Sequence, residues 1–361
     1  MAIPSTKLMY LIFVSMVIGL ISPVSVSLQG KQVPMGLLAH VKVQDKIKGM
    51  HYFGRGASLQ EGLAALKNGH VNEIVLVPYA YQRTYDDPKL LTSGRRRNSR
   101  TRRDSSYYAL AARAHDLDLK CIIKPHIWMQ TDQGKWRSDI HFRNEADWKL
   151  WSDSYRDYIL HYAALSAEME AHAFCIGTEL SKLTKHRPQY WKDLIRAVRR
   201  VYDGKLFYAA NWFEEYEHIT FWQELDFIGI QAYFPLTEKE EPNVDQLCIA
   251  WKPWIEKLDR FSRAQGKPIL FTELGYKSTL DAAVEPWRWL SQADEQLAAS
   301  PQTQANCYEA FFRSVWDTPW FAGVMFWQWQ GAGHRSVGRM ERDFTPQSKP
   351  AEEVMRTWFA D

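Results

Sequence analysis

The stretch Pro268-Ile269-Leu270-Phe271-Thr272-Glu273-Leu274-Gly275-Tyr276 runs from apolar residues to a single carboxylate, with a glycine soon after. Parallel strands buried on both faces read as such runs, and α/β barrels keep their chemistry at the C-terminal strand ends. A second stretch has the same form: Ala173-Phe174-Cys175-Ile176-Gly177-Thr178-Glu179-Leu180. Glu179 and Glu273, each preceded by threonine, thus stand at the ends of two apolar runs. A pair of carboxylates so placed is what acid–base cleavage of a glycosidic bond requires.

The rest of the chain alternates around these two strands. Strands are expected at Lys48 to Gly54, Val71 to Tyr81, Lys120 to Trp128 and Leu206 to Trp212. Two more are expected at Phe227 to Phe234 and Phe321 to Trp329. Between them the 3.6-residue pattern predicts helices. They run from Ser58, with Glu61 completing a capping box, to Asn68, then over Ser105–Asp116 and Glu145–Glu170. Others cover Pro188–Tyr202, Phe221–Leu225, Val244–Gln265, Gln302–Trp316 and Ala351–Phe359. About eight strands alternating with about eight helices predict an α/β fold, a single (β/α)8 TIM barrel. An open doubly wound sheet fits less well, because no Gly-rich phosphate loop follows the first strand.

At 361 residues the chain is long enough for one such barrel. A net charge of +3 argues against a nucleic-acid partner. Sixteen tryptophans are many for this length. Some are expected in the core, and others as flat surfaces on which sugar rings stack. Cys121, Cys175, Cys248 and Cys307 form no C-x-x-C pair, so zinc and redox motifs are absent, and a Cys248–Cys307 bridge stays open.

Lys7, the apolar run from Leu8 to Ile21, and the exit Ser25-Val26-Ser27 have the three parts of a secretory signal. Residues 1–27 are therefore expected to be a signal peptide, or an uncleaved anchor, and residues 46–361 the catalytic domain. Export to the periplasm or the outside follows, with membrane attachment only if the segment is retained. One stretch breaks the composition: Arg95-Arg96-Arg97-Asn98-Ser99-Arg100-Thr101-Arg102-Arg103. It reads as a solvated loop on the catalytic face, a contact for an anionic surface or acidic polysaccharide, or a protease-sensitive site.

Alternation along barrel strands places side chains in sets. Glu273 is expected on the face of Phe271 and Ile269, and Glu179 on that of Gly177 and Cys175. Lys124, His126 and Trp128 form another set, as do Phe207, Ala209 and Asn211. Gln231 with Tyr233, and Met325 with Trp327 and Trp329, complete the ring. No G-x-S-x-G elbow or H-E-x-x-H occurs, and His51 and His126 lack the local spacing of a metal site. No metal and no cofactor are expected.

Several strings together resemble glycoside hydrolase family 113, a group of β-mannanases in the large barrel clan of retaining glycosidases. They are Lys124-Pro125-His126-Ile127-Trp128, Ile176-Gly177-Thr178-Glu179-Leu180 and Ala209-Ala210-Asn211-Trp212. Gln231-Ala232-Tyr233-Phe234-Pro235-Leu236, Phe271-Thr272-Glu273-Leu274-Gly275-Tyr276 and Phe326-Trp327-Gln328-Trp329 complete the series. The likeness spans about Lys48 to Trp329, and order and spacing make it specific where each string alone is weak. It implies cleavage of β-1,4-mannosidic bonds in mannan, glucomannan or manno-oligosaccharides by a two-glutamate double displacement. Glu179 then matches the acid/base and Glu273 the nucleophile. Tyr233 matches the tyrosine that holds the nucleophile, and Trp327 the aromatic floor under the sugar. Lys124, His126, Trp128 and Asn211 are candidate substrate ligands. The wider clan usually carries Asn before the acid/base, to touch the 2-hydroxyl; here that residue is Thr178. Competing readings are a related glycosidase acting on glucan or another β-hexosan, a non-hydrolytic carbohydrate-binding protein, and an anchored scaffold using the basic stretch. The implied partner is a β-linked polysaccharide or oligosaccharide, and the expected state is a monomer.

Overall fold

The computed structural model describes residues 45–54, 59–92, 99–131, 134–290, 297–331 and 340–360. The expected signal segment, Ser58 of the capping box and residues 95–98 of the basic stretch lie outside the described residues.

Eight parallel strands close a barrel. Numbered along the chain they are β1 (Ile47–Phe53), β2 (Glu73–Leu76), β5 (Lys120–Ile123), β7 (Ala173–Thr178), β8 (Lys205–Asn211), β9 (Phe227–Gln231), β10 (Ile269–Leu274) and β11 (Phe321–Gln330). The order around the barrel is β1-β11-β10-β9-β8-β7-β5-β2, so chain order is kept. The helices between and after them are α1 (Leu59–Asn68), α2 (Ser99–His115), α3 (Glu145–Glu168), α4 (Ser181–His186), α5 (Pro188–Arg199), α6 (Val244–Gln265), α7 (Pro301–Val315) and α8 (Pro350–Ala360). Asn243 and Gln246 cap α6 reciprocally at its start, and Gly266 closes it in the left-handed conformation. No helix among the described residues is long and apolar enough to cross a membrane.

Two apolar layers hold the fold. Val75, Ile122, Cys175, Phe207, Leu270 and Met325 fill the barrel interior. Outside it, strand residues such as Phe271 and Phe326 pack against helix residues such as Trp191 and Phe311. Aromatic pairs are dense in this outer layer. Trp151 stacks on Tyr155 with centroids 4.7 Å apart, and Tyr308 on Phe326 at 4.6 Å. Each such pair adds roughly 0.5–1.5 kcal/mol beyond its area. All four cysteines are free, so the open Cys248–Cys307 pairing is not made.

Four expectations need correction. The runs Val71–Tyr81 and Lys120–Trp128 are each two strands, not one. Pro78 and Pro125 supply no N–H to a ladder, and each run breaks there. The downstream halves, β3 (Tyr79–Gln82) and β6 (His126–Met129), pair in parallel and join β4 (Leu90–Leu91) in a small separate sheet. Second, α2 begins at Ser99, so the end of the basic stretch is helix rather than loop. Third, α4 precedes α5 as a separate helix, and the short helix expected at Phe221–Leu225 is a single 3-10 turn, Trp222–Glu224.

The fourth correction concerns strand faces. Ile269 and Phe271 pack in the outer layer, while Leu270 points inward. The ladder of β10 with both neighbours slips between Phe271 and Glu273 or Leu274, and that of β7 with β8 slips between Cys175 and Thr178. These irregularities re-aim the strand ends. Cys175 lies inside the barrel, whereas a side chain at Gly177 would meet Trp191, Tyr155 and Tyr208 of the outer layer. Trp329 likewise packs in the outer layer, apart from Met325 and Trp327.

Candidate active site

The C-terminal strand ends surround a cavity of about 730 Å3. Glu179 and Glu273 both line it, with His126, Trp128, Asn211, Tyr233 and Trp327. Of the eight residues singled out from the sequence, seven therefore meet at one cavity. The eighth, Lys124, is fully buried and is not among the residues lining the cavity.

Glu273 follows the β10 irregularity and points at the buried Lys124 ammonium and the Tyr233 hydroxyl. Lys124 Nζ donates to Glu273 Oε1, to Gln231 Oε1 at 2.9 Å and to the Thr272 carbonyl at 3.0 Å. Tyr233 donates its hydroxyl to Glu273 Oε2 at 2.9 Å. Burial alone would raise the Glu273 pKa, but the Lys124 charge, helped by His51 and Arg137, overrides it and holds the carboxyl at about 2. Glu273 is therefore an anion at neutral pH. Burial, then the Glu273 charge, pushes the Tyr233 hydroxyl well up, so it stays a donor.

Two histidines flank this carboxylate. His51 Nδ1 lies 3.1 Å from the Phe326 carbonyl, and its Nε2 lies 3.4 Å from Lys124 Nζ. Burial and then Lys124 lower the His51 pKa to about 3. His126 Nε2 is 3.6 Å from Glu273 Oε1, too long for a hydrogen bond. Its Nδ1 faces Arg137 Nη1 at 3.2 Å and so accepts. Burial, then Arg137 and Lys124, keep His126 neutral. Its ring lies parallel to Trp327 at 6.3 Å.

Glu179 follows β7 with φ of 54°. Its backbone N–H donates to Ala209 at 2.9 Å, tying it to β8. Trp136 Nε1 and Arg137 Nε donate to Glu179 Oε2 at 2.8 and 2.9 Å. Arg137 also lies over the Trp136 ring, 4.6 Å from its centroid. Thr178 is buried, and its hydroxyl is 3.8 Å from Cys175 Sγ.

Gly275 lets this end of β10 approach β11. A Cβ there would sit 2.5 Å from the Trp327 carbonyl oxygen. The Trp327–Gln328 peptide is cis. Trp327 packs edge-on to His51, Phe53 and Trp289. Six tryptophans line the cavity: Trp128, Trp136, Trp212, Trp287, Trp289 and Trp327. Five others, Trp151, Trp191, Trp222, Trp251 and Trp320, are among the largest fully buried side chains. Tryptophans are thus found both in the core and along the cavity wall.

Sequence reasoning missed Trp136 and Arg137, which reach Glu179 from the start of a three-residue 3-10 turn, Arg137–Asp139, too short to leave a periodic signal. It also missed Glu215. This carboxylate is buried and accepts from Asn211 N at 2.8 Å, Asn211 Nδ2 at 3.1 Å and the Tyr208 hydroxyl at 2.6 Å. Burial pushes its pKa up to about 7 against these hydrogen bonds. Among the described residues no group of three or more His, Cys, Asp or Glu could hold a metal ion.

The model of Glycoside Hydrolase Family 113 matches residues 52–349. A GH113 β-mannanase from Alicyclobacillus acidocaldarius, solved in complex with ManMIm, is similar at 28% identity and a TM-score of 0.75. The match covers 87% of this chain and 97% of that one. A GH113 β-1,4-mannanase aligns at 22% identity and TM-score 0.74, over 88% of this chain and 99% of the other. A Ruminococcus gnavus β-glucuronidase shares the fold at 13% identity and TM-score 0.59, over 87% of this chain and 50% of its own. No curated protein matches the chain. With a closed (β/α)8 barrel, two glutamates on one aromatic cavity and a family match over most of its length, the chain is a glycoside hydrolase and belongs to glycoside hydrolase family 113.

Proposed function

We propose that this glycoside hydrolase cleaves β-1,4-mannosidic linkages with retention, Glu273 acting as nucleophile and Glu179 as acid/base. The observation that carries the reading is the unequal setting of two carboxylates on one cavity. Glu273 is held as an anion by the buried Lys124 and aligned by Tyr233. Glu179 instead receives one indole N–H and one guanidinium N–H on a single oxygen, Oε2. In this proposal Glu273 attacks the anomeric carbon while Glu179 gives its proton to the leaving oxygen. Glu179 then takes a proton from the water that releases the sugar from Glu273. Lys124 acts on the nucleophile from behind rather than on the substrate. Trp327 forms the floor, and His126, Trp128 and Asn211 face the sugar. The β-mannanase from Alicyclobacillus acidocaldarius, similar over most of both chains, supports mannan as the substrate class.

Export belongs to the same proposal and rests on the charge, apolar run and small-residue exit of residues 1–27. A reducing-sugar screen over mannan, glucomannan, xylan and cellulose tests the substrate. Proton NMR of the first product from mannohexaose tests the stereochemistry. The β-anomer is expected first; an initial α-anomer, or turnover on cellulose alone, contradicts the proposal.

A further inference from the structure

The Asn211 side chain has only one face left for a ligand. It ends β8 and lines the cavity beside Glu179, whose N–H is bonded to Ala209 of the same strand. Asn211 Nδ2 donates to Glu215 Oε2 and to Ser181 Oγ, each at 3.1 Å. A primary amide has two N–H groups, and both are thereby spent inside the protein. Glu215 Oε2 also takes the Asn211 backbone N–H at 2.8 Å. With the backbone N–H of Asn211 already on Oε2, a proton on this carboxyl is better accommodated on Oε1, beside the Thr184 hydroxyl at 3.3 Å, which leaves Oε2 an acceptor. Turning the amide over would set oxygen against oxygen. The orientation of this amide is therefore dictated by its partner.

Glu215 is itself fixed. Its Oε1 accepts from Tyr208 at 2.6 Å and lies 3.3 Å from the Thr184 hydroxyl, whose proton also has the Ser181 carbonyl at 3.0 Å, and the Tyr208 oxygen receives the Leu180 N–H at 2.6 Å. Leu180, Ser181 and Thr184 all lie in the turn and helix that directly follow Glu179. No donor among the described residues reaches Asn211 Oδ1.

We infer that Glu215 is a positioning residue that locks Asn211 with its nitrogen turned away from the cavity, so that the site presents a sugar hydroxyl with an acceptor and no donor at this place. The inference rests on the mannanase reading, and it assigns the polarity of one of its sugar contacts. A hydroxyl read this way must donate. Fluorine accepts weakly and cannot donate, so at that carbon fluorine should be as poor a replacement as hydrogen. The cost of leaving the buried acceptor unmet is roughly 10- to 100-fold in kcat/KM.

The test uses manno-oligosaccharides in which each hydroxyl of the sugar at the cleavage point is replaced in turn by hydrogen or fluorine. Inductive effects of fluorine are shared by all variants, so the comparison between variants is the readout. One position is expected to show the loss for both replacements in the wild type. That loss should vanish in Asn211→Ala and shrink at least about fivefold in Glu215→Ala. Glu215→Gln should retain it, because its amide oxygen can accept both N–H groups of Asn211. A purely structural role for Glu215 would lower the melting temperature without changing which hydroxyl is read. The inference is overturned if no position depends on Asn211, if Glu215→Ala keeps the wild-type pattern, or if the Gln and Ala variants behave alike. Should Glu215→Ala not fold, the inference is still overturned if the loss persists in Asn211→Ala or disappears in Glu215→Gln. Failure of the wild type to cleave the parent substrate would overturn the mannanase reading, and this assignment with it.

Discussion

Lys124 shows how one buried charge sets the chemistry of another. Its ammonium is surrounded by Glu273, Gln231 and the Thr272 carbonyl, with no exposure to water. Removing it in Lys124→Met leaves burial as the dominant influence on Glu273, and burial favours the neutral acid. The acid limb of the kcat/KM profile, which reports the free enzyme, should then move up by about one unit or more. An unmoved limb in the pH–rate profile would show that Lys124 does not govern the ionisation of Glu273. Glu179 is expected to matter according to the leaving group. Glu179→Ala should slow hydrolysis of mannohexaose roughly 10²- to 10⁴-fold. An activated aryl β-mannoside, which needs no proton to depart, should lose much less in its first step. Equal losses in burst kinetics on both substrates would count against the acid/base role.

At the scale of elements, the ends of β7 and β10 do the positioning. Gly275 is where backbone and site meet, since any Cβ there would press on the Trp327 carbonyl oxygen. Gly275→Ala should push the strand end away from Trp327, cut kcat/KM at least about tenfold and cost roughly 1–3 kcal/mol of stability. Kinetics with thermal melting checks this, and wild-type values in both would show that the close approach has no consequence. The apolar runs ending in Glu179 and Glu273 were legible because a buried parallel strand needs few polar groups and these stood out. Asn211 and Tyr233 were legible for the same reason, and Trp327 from the resemblance to the family. The faces of the two key strands were not, because parity counting assumes an unbroken ladder and both ladders slip just before the carboxylate. Trp136 and Arg137 come from a segment with no period to read. Glu215 sits in Phe213-Glu214-Glu215-Tyr216-Glu217, where only the fold tells a buried acid from its exposed neighbours.

For the whole molecule, the two perturbed carboxylates pull stability in different pH windows. Glu273 is held below its ordinary value, so its contribution is full above about pH 4.5 and is lost as pH falls toward 2. Glu215 is raised, so its burial costs nothing extra below about pH 4.5, and the cost grows as pH rises through about 7. Glu215→Gln should therefore gain a few degrees of melting temperature over the wild type at pH 8, and that gain should vanish near pH 4.5. A difference independent of pH would contradict the burial of an ionising group. The fold as a whole serves to bring Glu179 and Glu273, 94 residues apart in the chain, to one aromatic cavity. Their joint action is tested most directly by Glu273→Ala assayed with an activated aryl β-mannoside in the presence of azide. The account predicts near-total loss of hydrolysis without azide and recovery with it, the product being the α-mannosyl azide. Wild-type turnover without azide, or a β-mannosyl azide as the rescued product, would contradict it.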